Sequence, residues 1–490
     1  MVPAVTDRCR RIAHVAIACA LSAACAMRAP ASSTPAAPAP APAVNVEQLV
    51  LRGCYTCLEE AFATTSAFGA NEAAFQAAIL LTLRSKELGL PFTQWLERAR
   101  ALLPGPAWSE YLAIAESAPQ DPLSTDRDAI LGIRRRTRDD IDAARRAVAT
   151  GPGSPAVRAY LDLAIVCGPT FIDERDAAVT AVLEQFGEAP LLRYRAGVCG
   201  HTPLLADVLR QDADFADVHL ELGRAALQRE RPDYDEALSH LRQGRAAFPA
   251  SATIVATIGN IALQREEWTE ALAAFEATLT LVPSHRDALL GAAISLSHLN
   301  RHEEAIVPAS RLLELGSWFI SDAHYWRAWN EYRAGRIPEA RADADRAKAL
   351  SRNAPTLVLS GIISWREGRL AAADTEFTEA LNIDFGQCEA ASYLGGVRAE
   401  QERWQESLAA FQHAAQCFEL AVLTRRKAVA ELTASTESAS SVARQVASHE
   451  RAIAEADARR VEAITNIASI ERRIAIPYRG GESAPARSSP

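Results

Sequence analysis

The chain has 490 residues, of which 49% are hydrophobic and 23% charged, an ordinary composition for a folded soluble protein. Its formal net charge of −9 argues against nucleic-acid binding, because no basic stripe balances the acidic surface. This length leaves room for more than one domain, although repeat proteins escape the usual relation between length and domain number.

The amino terminus has the pattern of an export signal. Three arginines within the first eleven residues precede an apolar run at 12–24, which is too short to span a bilayer as a mature helix. We therefore predict that residues 1–24 are a signal peptide. No later segment of the sequence is apolar enough to cross a membrane.

The end of this run, from Leu21 to Cys25, resembles a bacterial lipoprotein signal. In such signals the cysteine is lipidated and becomes the first mature residue, so the resemblance implies a membrane anchor at Cys25. Ordinary cleavage near Ala24 or Ala26, with a soluble periplasmic product, is the alternative that these residues leave open.

An Ala/Pro-rich tether is predicted for residues 25–44, since from Arg28 to Val44 the sequence is Ala, Pro and Ser with almost nothing else. Such a stretch favours extended polyproline geometry and would reach roughly 50 Å at about 3.1 Å per residue. A disordered spacer with no special role is the other interpretation.

Residues 45–215 are predicted to be helical throughout, because Gly and Pro clusters separate stretches of helix length and no stretch alternates polar and apolar residues as a strand does.

A Cys-x-x-Cys pair, Cys54 and Cys57, stands near the start of this region. Haem attachment would require a histidine where Leu58 stands, and a thioredoxin-like site would require a surrounding βα pattern. A local disulfide or a structural cysteine pair is therefore the favoured interpretation.

Residues 216–420 contain a pattern that returns every 33 to 35 positions. Small residues mark each return: Ala237, Ala271, Ala305, Ala340, Ala373 and Ser407. Twelve positions before these markers, or fourteen in the first unit, stand further small residues: Gly223, Gly259, Ala293, Ala328, Gly361 and Gly395. Four positions after the markers stand Leu241, Phe275, Ala309, Ala344, Phe377 and Phe411. Small residues let two antiparallel helices cross closely, and the larger residue fills the space beside them.

This pattern resembles the tetratricopeptide repeat (TPR), which combines L-G, A-x3-F and a closing proline at these spacings. The resemblance implies an all-α fold, an α-solenoid of helix-turn-helix repeats, with six TPR units in residues 216–420. Each hairpin leaves an apolar face that only a stacked neighbour can cover. Residues 45–215 are then interpreted as a divergent, helical TPR-like region.

The carboxyl-terminal part, residues 421–476, is predicted to be a long helical region, because no Gly or Pro occurs from 397 to 476. A helix that caps the end of the solenoid is one interpretation, and a coiled-coil oligomerisation helix is the other. Pro477 ends the helix, and residues 477–490 are predicted to be a disordered tail.

The remaining cysteines form two candidate pairs. Cys167 and Cys199 stand near the ends of what we interpret as equivalent helices, and Cys388 and Cys417 fall at positions one and thirty of the sixth unit. An even number of cysteines in an exported protein predicts disulfides. His413, one helical turn before Cys417, permits a metal site, but a disulfide beside an incidental histidine is favoured, and no metal or cofactor is predicted.

The candidate binding site is a groove. In TPR proteins the first helix of each hairpin lines the concave surface, mainly through positions two, five, nine and twelve. In the fourth and fifth units, residues at these positions and at position thirteen predict a partner-binding groove. They are Tyr325, Trp329, Tyr332, Arg333, Trp365 and Arg366. Aromatic and arginine side chains suit peptide binding. The alternative is that some of the aromatic rings serve packing.

The resemblances together imply an exported, lipid-anchored TPR scaffold that mediates protein–protein interactions in the bacterial cell envelope, in the periplasm or at the outer membrane. Assembly of the envelope or of a surface structure is the expected setting. No catalytic motif appears, so we do not expect an enzyme. Two alternatives stay open: a glycan-binding periplasmic module, because Trp and Tyr also stack on sugars, and an enzyme subunit with activity in residues 45–215.

Overall fold

The computed structural model describes residues 46–118, 138–167, 172–213, 215–316, 320–434 and 439–475. The chain divides into Met1–Val44 and Asn45–Pro490. The predicted signal peptide, the tether with Cys25 and the tail at 477–490 lie outside the described residues. None of the described helices is both long enough and apolar enough to cross a bilayer.

The described residues form 23 α-helices and no strand, which confirms the predicted all-α class. The first ten helices precede the regular repeats: α1 Val46–Arg52, α2 Tyr55–Ala67, α3 Asn71–Glu87, α4 Thr93–Leu102, α5 Ser109–Ser117, α6 Arg138–Thr150, α7 Pro155–Val166, α8 Ile172–Phe186, α9 Pro190–Val198 and α10 Pro203–Gln211. One 3-10 turn, Pro106–Trp108, leads into α5.

Six hairpins follow, each made of two helices that pack against each other and against the next hairpin. Their helices are α11 Val218–Leu227, α12 Tyr234–Ala247, α13 Ala252–Gln264, α14 Trp268–Leu281, α15 Arg286–His298, α16 His302–Leu315, α17 Ile320–Arg333, α18 Ile337–Leu350, α19 Ala354–Arg366, α20 Leu370–Ile383, α21 Cys388–Glu400 and α22 Trp404–Thr433. A last helix, α23 Ala439–Ala475, packs on α22. The predicted α-solenoid is therefore confirmed, while the predicted boundary at residue 420 falls inside α22.

The first helices of the six hairpins begin at residues 218, 252, 286, 320, 354 and 388, each 34 positions after the previous one. All six marker residues of the sequence pattern are fully buried. A Cβ atom on Gly361 would lie 2.7 Å from the ring of Phe377, so only glycine leaves space for this ring. In the fourth unit the corresponding residues are Ala328 and Ala344, which are both buried in one cluster. The two positions therefore share the space between the helices of a hairpin, and an aromatic ring at one position requires glycine at the other.

An ionic network is buried where α3 meets α9 and the turn before α11. The Arg84 side chain is fully buried, and its guanidinium donates to the carboxylate of Asp217 at 2.6 Å and to that of Glu87 at 3.2 Å. Arg195 donates to Glu87 at 2.6 Å, so two cations balance two carboxylates. The Arg84 guanidinium also lies 3.6 Å from the centre of the Tyr194 ring. This network connects the amino-terminal helices to the first regular repeat.

The six cysteines of the described residues form three pairs at disulfide distance. The Cα–Cα distances are 5.0 Å for Cys54–Cys57, 5.1 Å for Cys167–Cys199 and 5.4 Å for Cys388–Cys417. These distances lie within the range that disulfides require. His413 Nε2 lies 3.0 Å from the backbone oxygen of Phe385 and its ring stacks on that phenylalanine, so this histidine already has a partner.

Replacing both Cys388 and Cys417 with alanine is expected to lower the free energy of unfolding by about 3 kcal/mol. These residues are 29 positions apart, and a cross-link over such a loop restricts the unfolded chain. Urea denaturation of the two proteins measures the difference, and peptide mapping without reductant identifies the linkages. Free thiols at these positions in protein recovered from an oxidising compartment would contradict the prediction.

Candidate functional site

All six residues of the predicted groove line one cavity of about 990 Å³. The walls come mainly from the first helices of the third to sixth hairpins, α15, α17, α19 and α21, and two residues of α23 complete them. The structure thus brings together residues that the sequence assigned to two neighbouring repeats. Below, this space is called the aromatic cavity.

Three of the lining residues follow one another along α17. Tyr325, Trp329 and Tyr332 are spaced four and three positions apart, so they lie on one helix face and are each half-buried. The Trp329 and Tyr332 ring centres are 6.3 Å apart, and the Arg333 guanidinium lies 5.7 Å from the centre of Trp329. Because both rings also pack against buried residues of the repeats, their positions are fixed before any ligand binds.

Trp365 forms the facing part of the cavity from α19. Its indole nitrogen donates to Glu400 Oε1 at 3.0 Å, and its ring centre lies 6.2 Å from that of Tyr393. A Cβ atom on Gly396 would lie 2.6 Å from the indole, so this glycine creates the space in which the ring lies. Arg366 follows at the rim and is exposed. Trp365 is therefore held by its neighbours on one side and open to the cavity on the other.

The cavity is balanced in charge and rich in hydrogen-bonding groups. Three arginines and three glutamates line it: Arg333, Arg366, Arg459, Glu389, Glu400 and Glu455. Burial, with a smaller contribution from the charge of Glu389, raises the pKa of Tyr325 to about 12. Like that of an ordinary tyrosine, this hydroxyl is protonated at neutral pH and can donate a hydrogen bond to a ligand.

Several lining residues were missed by the sequence analysis. Trp326 and Tyr393 both stand at position six of their units, which the family pattern does not assign mainly to the concave surface. Glu455 and Arg459 belong to α23, whose place in the solenoid no local pattern indicates. The aromatic residue at position six was the one signal that could have enlarged the predicted site.

A second polar cluster lies on the other face of α17. His324 Nδ1 lies 2.8 Å from Asp343 Oδ1, and Arg327 donates to the same carboxylate at 2.8 Å. Glu331 is buried next to them, and its Oε2 has no hydrogen-bond partner among the described residues. Burial, and then the negative charge of Asp343, raise the pKa of Glu331 to about 7.

The pKa of Glu331 predicts a pH-dependent stability. The pKa of Glu331 is higher in the folded than in the unfolded protein, so the neutral carboxyl group favours the folded state. Its contribution to the free energy of unfolding is complete below about pH 4 and is lost as pH rises through about 7. The free energy of unfolding of the Glu331→Gln variant should therefore exceed that of the wild type by about 3 kcal/mol at pH 8 and equal it near pH 4. Urea denaturation at both pH values measures this difference. The exposed Glu314→Gln is the control, and a pH-independent effect of Glu331→Gln would contradict the prediction.

Comparison with protein families identifies the repeat. Residues 257–317 match a family model described as tetratricopeptide repeat. Among curated proteins, no significant match to the chain is found.

Solved structures with similar folds cover about a third to a half of the chain. YrrB, a TPR protein with an unusual peptide-binding site, is 21% identical over 36% of this chain and 91% of its own, with a TM-score of 0.31. PilW, a type IV pilus biogenesis factor, is 15% identical over 42% of this chain and 91% of its own, with a TM-score of 0.35. A TPR protein from Parabacteroides merdae is 14% identical over 56% of this chain and 98% of its own, with a TM-score of 0.37. These similarities carry no information about the partner of this chain.

The family match begins within α13 and extends to the end of α16, so it falls on two successive hairpins. The hairpins before and after it keep the 34-residue spacing of the first helices and the buried small residues at the same positions. The chain therefore contains tetratricopeptide repeats within a longer helical solenoid.

Proposed function

We propose that this chain is a scaffold that binds a segment of a partner protein in the aromatic cavity. The observation that carries this proposal is the convergence of Tyr325, Trp329, Tyr332 and Trp365 on one open volume of about 990 Å³. This volume lies at the upper end of the range of about 300 to 1,000 Å³ that is common for ligand sites. Interfaces between proteins are in turn enriched in Trp, Tyr and Arg, which are the residues found here.

The cavity suits an extended segment that carries apolar and charged side chains. Apolar side chains would insert between Trp329 and Trp365, whose rings present broad apolar faces at little entropic cost. Arg333 and Arg366 are exposed at the rim and can donate to carboxylates or backbone carbonyls of the segment. The protonated hydroxyl of Tyr325 supplies a further donor inside the cavity.

The test uses peptides selected from a random displayed library on the full chain. Replacing Trp329 or Trp365 with alanine is expected to weaken the binding of a selected peptide about thirtyfold, the typical effect of truncating a central interface aromatic. The matched control is Trp404→Ala, a half-buried tryptophan outside the cavity, which should leave the affinity unchanged. Isothermal titration calorimetry gives the affinities, and thermal denaturation shows whether each variant folds.

Two results would contradict peptide binding at this site. In the first, selected peptides bind the Trp329→Ala and Trp365→Ala variants as well as the wild type, although both variants fold. In the second, a glycan array gives ligands that require these two tryptophans and the peptide library gives none. The second result would make the chain a glycan-binding module.

We further propose that the scaffold acts in the bacterial cell envelope, where it takes part in assembling the envelope or a surface structure. The basic and apolar segment at residues 1–24 and the lipoprotein-like Leu21–Cys25 support export and a lipid anchor. Three cysteine pairs at disulfide distance fit an oxidising compartment. Intact-mass measurement of the mature protein should show a lipidated chain beginning at Cys25. An unmodified chain beginning after Ala24 or Ala26 would disprove the anchor and leave export intact.

A further inference from the structure

The last helix, α23, follows the repeats past the aromatic cavity. Its 37 residues correspond to about 55 Å of helix. Near its start, Arg444 forms an ion pair with Asp235 of the first hairpin, and Ser448 donates to the Glu266 carboxylate of the second hairpin at 2.9 Å. Near its end, the Arg473 guanidinium lies 5.8 Å from the ring centre of Trp404 on α22. The helix therefore connects the first hairpins to the last one.

The middle of α23 forms part of the cavity wall. Glu455 and Arg459 line the aromatic cavity together with residues of α15, α17, α19 and α21. A partner segment that enters the cavity on this side must therefore pass the helix. We call residues 442–459 the strap.

The two parts of α23 are held differently. Beyond the strap, Ala463 and Ile470 are buried, and Ala463 packs with residues of α21 and α22. Within the strap no described side chain is fully buried. The ion pairs there are exposed, with 43% of the Arg444 side chain and 63% of the Arg451 side chain accessible to solvent. Exposed ion pairs are individually weak and are screened by salt.

We propose that the strap is an intramolecular cover of the aromatic cavity, which a partner segment must displace in order to bind. This inference rests on the proposed function of the cavity. The buried end of α23 keeps the strap at a high effective concentration beside the cavity, so a weakly held cover still competes with a partner. Release requires the polar contacts of Arg444, Ser448 and Arg451 to break, together with the partial packing of Ala456 against α21 and α22. The buried Ala463 and Ile470 stay in place.

Hydrogen–deuterium exchange of the full chain tests whether the strap is detachable. In the Arg451→Glu variant the new carboxylate faces Glu266, which lies 4.0 Å from the arginine in the wild type. We expect amides of the strap to exchange about tenfold faster than in the wild type, and the charge-swapped Glu266→Lys/Arg451→Glu chain to recover most of the protection. The control is Arg472→Glu, which makes the same charge change on an exposed residue near the end of α23. Exchange that is the same in Arg451→Glu and in the control would overturn the proposal.

Affinity for a library-selected peptide tests whether the strap competes. The peptide that requires Trp329 and Trp365 should bind the Arg451→Glu chain about tenfold more tightly than the wild type, and the charge-swapped chain like the wild type. Equal affinity for all chains, despite faster exchange of the strap, would overturn the proposal. Failure of the proposed function is distinguishable from both results, because no peptide that depends on these tryptophans would then be selected even on the Arg451→Glu chain.

Discussion

Replacing Asp217 with alanine is expected to lower the free energy of unfolding by about 3–5 kcal/mol, because the substitution leaves the fully buried Arg84 without its closest partner. The carboxylate also accepts the backbone N–H of Tyr55 at 3.2 Å, so a buried donor loses its acceptor as well. The remaining carboxylate near Arg84, that of Glu87, is already bound by Arg195 at 2.6 Å. Denaturation by urea, followed by circular dichroism, measures the loss.

The control for this prediction is Glu304→Ala. Glu304 forms an ion pair with Arg301, the two side chains are 58% and 44% exposed, and such exposed pairs contribute little to stability. An Arg84→Met/Asp217→Leu chain should lose less stability than the sum of the two single substitutions, since it leaves neither charge of the pair behind. Equal losses for Asp217→Ala and Glu304→Ala would show that the buried network is not a stabilising contact.

Replacing Phe377 with alanine is expected to cost about 3–5 kcal/mol, the usual range for emptying the space of a buried phenylalanine. The ring is fully buried, lies against Gly361 and has its centre 5.6 Å from that of Tyr393. Because Tyr393 also lines the aromatic cavity, the same substitution should weaken peptide binding. Urea denaturation and calorimetry measure the two effects.

The matched control is Phe385→Ala, because this phenylalanine is 73% exposed and its removal should cost about 1 kcal/mol or less. A second variant tests the shared volume directly. Gly361→Ala alone should be destabilising by about 1–3 kcal/mol, and Gly361→Ala/Phe377→Leu should recover part of that loss. Strict additivity of the two substitutions would contradict the proposed fit between these positions.

The regular repeats could be predicted because their signal is local. Residues such as Gly361 and Phe377 meet within one hairpin, so their spacing is set by two helices and a turn. The same locality explains why the groove residues were predicted together. Tyr325, Trp329 and Tyr332 share one face of α17, and Trp365 occupies position twelve of the next unit.

The strap and the buried network depend on contacts between distant parts of the chain. Arg444 contacts Asp235 although the two residues are 209 positions apart in the sequence. Their distance in space depends on the small rotation that each hairpin adds to the solenoid. Arg84 stands on α3 among apolar residues, and only the convergence of α3, α9 and the turn before α11 makes it fully buried. No periodic pattern in the sequence records such convergence.

Site-specific photocrosslinking in intact cells tests the central claim most directly, since it shows whether the aromatic cavity contacts a partner protein. A photoreactive phenylalanine analogue would replace Tyr332 in the cavity and, as a matched control, the exposed Glu339 on α18. We predict a discrete crosslinked protein from position 332 that is absent from position 339 and is lost when Trp329 is also replaced with alanine. The same crosslinked proteins from both positions, or none from position 332 in a folded chain, would contradict the account.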